Sequence, residues 1–213
     1  HVEVHNGPQG TLFGRNASGG LNNIITADPS AGQDFALKSA LGYGDYDTID
    51  ASAYSAFGLG SNMAADLAVN FHDQGEGYGK SVPTGEDRPI DRSTSVRGKW
   101  VAELSDATRV KLTGEYIRAA ESLAKGTNYK GYTQGYPQFS SLDGQQLPYP
   151  GFYDSNTDFS DVGTTKMYGT SLRLEHDLSF ATVINTLSYH HIKQRNPFDV
   201  DLSSLNWQNS DLY

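Results

Sequence analysis

The side chains able to do chemistry in this chain are histidines, carboxylates and a dense set of tyrosines, and their spacing decides what they can do. His190-His191 is the one adjacent histidine pair. On a strand, neighbours point to opposite faces, so the two cannot readily share a metal ion. His72 falls on the polar side of an alternating segment, where a solvated histidine is the simpler account. Glu103 with Glu115, and Asp66 with Asp50, also fall on polar sides and could pair across strands. Paired carboxylates serve glycoside hydrolysis. A wetted face carries them without any catalysis, and no Gly-x-Ser-x-Gly elbow is present. The expectation is therefore no enzyme, no cofactor and no metal site.

The strongest binding candidate is the stretch 123–164. It holds Tyr129, Tyr132, Tyr136, Phe139, Tyr149, Phe152 and Tyr153 among glycines, with Asp143, Asp154, Asp158 and Asp161. Rings carrying hydroxyls suit sugars or aromatic chelates, because they offer large area at little entropic cost. The same rings would serve equally to pack a long loop onto itself or to form an interfacial aromatic girdle. The spacing of Asp154, Asp158 and Asp161 matches no calcium loop, which leaves them as surface acidity.

The elements that must position these groups are strands. From Gln33 onward apolar residues recur with period two. Phe35, Leu37, Leu41 and Tyr43 oppose Asp34 and Lys38, and residues 48–57 repeat the pattern. In Met63 to His72, Met63, Ala65, Leu67, Val69 and Phe71 share one side, with Asp66, Asn70 and His72 on the other. Val96, Trp100, Ala102 and Leu104 oppose Arg97, Lys99 and Glu103; Val110, Leu112 and Tyr116 oppose Arg109, Lys111 and Glu115. Tyr168, Leu172 and Leu174 oppose Arg173 and Glu175, and a noisier run over 180–195 has Ile184 out of phase. These are seven candidate strands. Their connections alternate between short (58–62, 105–107, 177–179) and long (76–91, 123–164 and after 195), as tight turns on one side of a membrane and long loops on the other would require. The connection at 44–47 makes one outer loop small.

Composition fits that pattern. Hydrophobic residues make up 37% of the 213, mean hydropathy is −0.53, and there are 23 glycines and no cysteine. Such a mix suits strands that need only every second residue apolar. No apolar run reaches the ~18–20 residues of a membrane helix, which leaves a barrel open. A net charge of −9 without a basic patch argues against a nucleic-acid partner. A soluble β-sandwich with one solvated face would also alternate, but explains the charges opposite apolar faces and the two long loops less well.

Ahead of the ladder lies Gly7-Pro8-Gln9-Gly10-Thr11-Leu12-Phe13-Gly14-Arg15-Asn16-Ala17-Ser18-Gly19-Gly20, between the β-prone runs Val2-Glu3-Val4 and Ile24-Ile25-Thr26. Its glycines and proline predict strand, tight turns, strand. Neither phosphate-binding glycine pattern is present. Residues 2–26 resemble the C-terminal part of the plug of TonB-dependent outer-membrane receptors. The resemblance implies an all-β membrane protein: a plug segment over 1–32, then the first seven or so strands (33–213) of a large, about 22-stranded antiparallel barrel. The chain would be a piece, lacking sequence at both ends. It also implies active uptake of a scarce ligand, an iron-siderophore or similar chelate or an oligosaccharide, across the bacterial outer membrane. The implied partners are the inner-membrane TonB complex, reached through sequence outside this chain, and outer-membrane lipid. A passive porin-type barrel, which has no plug, and a soluble glycan-binding β-protein are the rivals. In the resembled family plug arginines meet barrel glutamates, so Arg15 is expected to pair within the lumen. Asn6 stands where an arginine usually precedes Gly-Pro and cannot make that charged contact; His5 and Asn22 depart from the family pattern as well.

Overall fold

A computed structural model describes residues 1–13, 17–122, 151–160, 162–199 and 209–212. The glycine-rich segment forms an antiparallel hairpin, β1 (Val2–Asn6) with β2 (Gly20–Ile24), and between them one helical turn, α1 (Gly10–Phe13). The turn takes the place of one of the tight turns expected from the glycines. Backbone bonds from Gly7 N to Gly19 O (3.3 Å) and Gln9 N to Ala17 O (2.8 Å) close the loop. Gly20 has φ +135°, and a Cβ there would lie 2.5 Å from the His5 carbonyl oxygen, so only glycine fits where the strand starts.

The remaining strands are β3 (Ala36–Gly44), β4 (Thr48–Gly58), β5 (Met63–Gln74), β6 (Gly79–Lys80), β7 (Asp87–Arg88), β8 (Asp91–Ser105), β9 (Thr108–Ser122), β10 (Val162–Asp177), β11 (Thr182–Asp199) and β12 (Asn209–Leu212). Eight of them form one sheet in the order β12-β11-β10-β9-β8-β5-β4-β3, and β6 and β7 make a small hairpin inside the connection 75–90. Every pairing in the sheet is antiparallel. This is a meander, in which each long strand pairs with the next long strand in the chain.

Register turns the alternation of each strand into two continuous faces. One cross-strand row reads Leu187, Leu172, Leu112, Trp100, Ala65, Phe57. One residue along, the row reads Ser188, Ser171, Thr113, Lys99, Asp66, Ala56. Ile184, out of phase in the sequence, pairs with Glu175 on this polar face.

The apolar face has no cover among the described residues. Leu187 is 70% exposed, Leu41 81% and Phe35 67%. Among the described residues the buried aliphatic side chains are the small Ala56, Ala64, Val101 and Ala102. A soluble sandwich would press such a face against a second sheet about 10 Å away, and a bare apolar surface of this breadth marks contact with a partner or a membrane. No helix of the described residues is long and apolar enough to cross a membrane; that leaves crossing by strands untouched.

Several strands run past the apolar pattern. β9 continues from Tyr116 to Ser122, β10 begins at Val162, and β11 continues through Asp199 rather than stopping at Arg195. Backbone pairing does not need apolar side chains, so the ladder extends beyond the belt that the alternation marks. The connections 59–62, 106–107 and 178–181 lie at one end of the sheet. The segment following β2 joins the sheet there, through Gly32 N to Gly60 O (3.1 Å) and Gly58 N to Gln33 O (3.0 Å). The connections 45–47 and 75–90, the end of β9 at Ser122 and the start of β10 at Val162 lie at the other end.

Candidate functional site

The segment between the hairpin and the sheet is fixed by charge. Asp28 projects onto the polar face, where three cations of alternating positions converge. Its Oδ2 lies 3.0 Å from Lys111 Nζ and 3.2 Å from an Arg109 guanidinium nitrogen, and its Oδ1 lies 3.2 Å from Lys99 Nζ. Lys99, whose side chain is 5% exposed, also meets Asp66 Oδ2 at 3.2 Å, donates to Thr26 Oγ1 at 3.4 Å and reaches the Ala27 carbonyl. Arg109 Nε approaches Glu103 Oε1 at 3.3 Å. Lys99, Arg109 and Lys111 thus face Asp28, Asp66 and Glu103, and the cluster is neutral only with Asp28 in it. Burial pushes the Asp28 carboxyl up, but the hydrogen bonds and charges of Lys111 and Lys99 outweigh it and hold the group below the usual carboxylate range. Beside this anchor a cavity of about 260 Å³ opens on the polar face, lined among others by Arg97, Thr113, Glu115, Ser171 and His190.

At the opposite end the connections 45–47 and 75–90 and the segment 151–160 pack together. Tyr46 meets Tyr78 edge-on (5.7 Å), Tyr78 meets Tyr153 (5.2 Å), and Tyr153 meets Phe152 (4.7 Å). Tyr46 and Asp47 adopt φ of +59° and +51°, uncommon for residues with side chains. The bonds Glu76 N to Tyr46 O (2.9 Å) and Gly75 N to Asp47 O (3.3 Å), with Tyr43 Oη to the Asp47 carboxylate, hold that turn. Beneath the rings lies a polar seam: Ser81 Oγ donates to Thr157 O (2.6 Å), Lys80 N to Asp154 Oδ1 (2.8 Å), and Val82 N to Ser155 O (2.9 Å). Ser81, Arg88, Asn156 and Thr157 are buried in it. Two loops distant in sequence form one unit, carrying an aromatic ledge.

Of the residues singled out from the sequence, Phe152 and Tyr153 belong to this ledge. Tyr129, Tyr132, Tyr136, Phe139, Tyr149 and Arg15 lie outside the described residues. Asn6 is exposed in β1, its carbonyl accepting from Gln9 Nε2 at 3.5 Å. The carboxylates expected to pair with each other each meet a cation or histidine instead: Asp66 meets Lys99, Glu103 meets Arg109, Asp50 meets His72 (2.7 Å) and Glu115 meets His190 (3.4 Å). Opposite charges attract where like charges would repel, so each of these carboxylates sits beside a cation or a histidine. His190 and His191 do part, His191 stacking on Tyr168 at 4.8 Å on the apolar face. Among the described residues no group of three or more histidines or carboxylates is placed to hold a metal ion. The sequence did not single out Asp28 as a partner for the Lys99, Arg109 and Lys111 face; the signal was a lone acid in Ala27-Asp28-Pro29 just ahead of the ladder.

No protein-family model matches the chain. Its fold matches solved structures of import receptors. The ferric-catecholate import receptor Fiu of E. coli K12, in its open form, superposes with a TM-score of 0.68 at 22% identity, over 92% of this chain and 29% of that one. The siderophore receptor PiuA of Acinetobacter baumannii gives 0.68 at 20% identity over 92% and 26%. A mutant of the ferric enterobactin receptor PfeA of Pseudomonas aeruginosa gives 0.61 at 14% identity over 99% and 30%. The chain therefore spans under a third of the length of these receptors. Its fold is that of a plug-to-barrel portion of the TonB-dependent outer-membrane siderophore receptors, the family that residues 2–26 resemble.

Proposed function

We propose that this chain is the end of the plug and the first barrel strands of a TonB-dependent transporter of the bacterial outer membrane, divided near residues 32 and 33. The observation that carries the proposal is the two-faced register. One row is apolar across six strands, while the adjacent row is polar and clamps Asp28 of the segment leaving the glycine-rich hairpin. A lipid-facing belt around a wet interior that holds a plug has this form. An open sheet edge in lipid costs several kcal/mol per unpaired backbone group, so the sheet functions within a closed barrel.

The cargo that the ledge supports best is an iron chelate with aromatic rings. Tyr46, Tyr78, Phe152 and Tyr153 offer rings at the loop end, and the names of the similar receptors speak of ferric catecholates and siderophores. The protein binds and moves its cargo without covalent chemistry; the energy comes from TonB. In a strain lacking its own catecholate receptors, the full-length protein carrying this chain should restore growth on a ferric catecholate under iron starvation, and only with TonB present. Restoration by an oligosaccharide as carbon source, without effect on iron, would replace the cargo. Restoration without TonB would replace the mechanism with passive diffusion.

A further inference from the structure

On the apolar face, where the belt ends toward the long connections, the register sets three cations side by side. Lys166 of β10 pairs with Lys193 of β11 on one side and with Arg118 of β9 on the other. All three are exposed, and none of the three side chains has a hydrogen bond or ion pair among the described residues. Like charges directly opposite one another on a sheet are destabilising. On the polar face Arg173 also stands opposite Lys111. There each cation has an acid, Glu175 at 2.5 Å for Arg173 and Asp28 at 3.0 Å for Lys111; the outer row has none among the described residues. One row toward the belt lie Tyr116, Tyr168 and His191. Tyrosines at that place mark the depth of the membrane interface, so the three cations sit at headgroup level and point outward.

We propose that Arg118, Lys166 and Lys193 form a binding row for the phosphate-bearing headgroup of a lipid in the leaflet facing the long loops. This rests on the membrane reading above. With strands about 4.8 Å apart the row spans roughly 10 Å. That is wide enough to reach two phosphates of one headgroup, with Arg118 offering two parallel donors and the lysines point charges. The lysine stems lie along the apolar sheet while their ammonium groups reach the polar layer. A bound anion would turn three mutually repelling groups into a stabilising contact, each worth about 1 kcal/mol near a charged surface.

The test uses the full-length protein purified from outer membranes, with the lipid that survives detergent exchange measured by phosphorus content and native mass spectrometry. Wild type should retain a phosphate-bearing lipid and lose the same lipid after phosphatase treatment. R118Q/K166Q/K193Q should retain about a hundred-fold less, and K166Q alone about five-fold less. Equal retention by inserted variants, retention of the dephosphorylated lipid by wild type, or displacement of the lipid by inorganic phosphate alone would overturn the proposal. Membrane fractionation separates the two claims. Inserted protein that keeps no lipid defeats this inference only, whereas wild-type protein recovered in the aqueous phase defeats the membrane reading beneath it.

Discussion

Asp28 Oδ1 and Oδ2 lie 3.2 Å and 3.0 Å from the same atom, Lys111 Nζ, so the carboxylate that precedes the sheet is bound by a residue 83 positions further along the chain. The contact joins the glycine-rich hairpin to β9 across the polar face, and Lys99 ties Thr26, Ala27 and Asp28 to β8. Asp28→Asn keeps the shape and removes the charge. The variant should lose about 1–3 kcal/mol of stability, the cost of a lost hydrogen bond to a charged group together with partly buried lysines left short of a partner. Urea unfolding of the detergent-purified protein measures it. A variant as stable as wild type would mean that the anchor is solvent-screened and holds nothing.

Acid should weaken the same anchor. The Asp28 carboxyl titrates below its ordinary range, because Lys111 and Lys99 outweigh burial. A depressed folded-state pKa stabilises the fold above the unfolded value, about 3.9 for aspartate, and that stabilisation is lost as pH falls through the folded value. The stability gap between wild type and Asp28→Asn should stay constant from about pH 6 to 8 and close below about pH 4. A gap that widens on acidification would contradict the sign.

The loop unit has its own point of failure at Gly79. A Cβ there would run into the backbone carbonyl of Tyr153, a neighbour that cannot swing away as a side-chain tip could. Gly79→Ala should separate the β6–β7 hairpin from the segment 151–157 and lower affinity for a ferric catecholate, with membrane insertion unchanged. Faster protease nicking at the loops of intact cells would register the separation. Unchanged nicking and affinity would show that the seam tolerates the shift.

The strands were legible because each has one apolar side, as in Met63, Ala65, Leu67, Val69 and Phe71. Their ends were not: β9 runs on through Arg118 and Ala120 to Ser122 with no apolar alternation, sustained by backbone pairing alone. The helical turn Gly10–Phe13 was hidden because glycine and proline signal a chain reversal without specifying its form. Lys99, Arg109 and Lys111 were visible as one charged face, yet their partner was not, since Asp28 meets them only through the register that aligns β8 with β9. For the same reason the like-charge row of Arg118, Lys166 and Lys193 is spread over three strands and has no sequence motif.

The central claim is that β10 presents alternate residues to lipid and to a wet lumen. These 213 residues hold no cysteine, so with any cysteine elsewhere in the full-length protein replaced by serine, an introduced thiol reports on its own position. Single cysteines placed from 168 to 175 in the full-length protein, in outer membranes, would be exposed to a charged, membrane-impermeant thiol reagent. Labelling is expected at 169, 171, 173 and 175 and protection at 168, 170, 172 and 174, the positions in register with Tyr116, Gly114, Leu112 and Val110. Uniform labelling along the strand, or labelling in the opposite phase, would contradict the account.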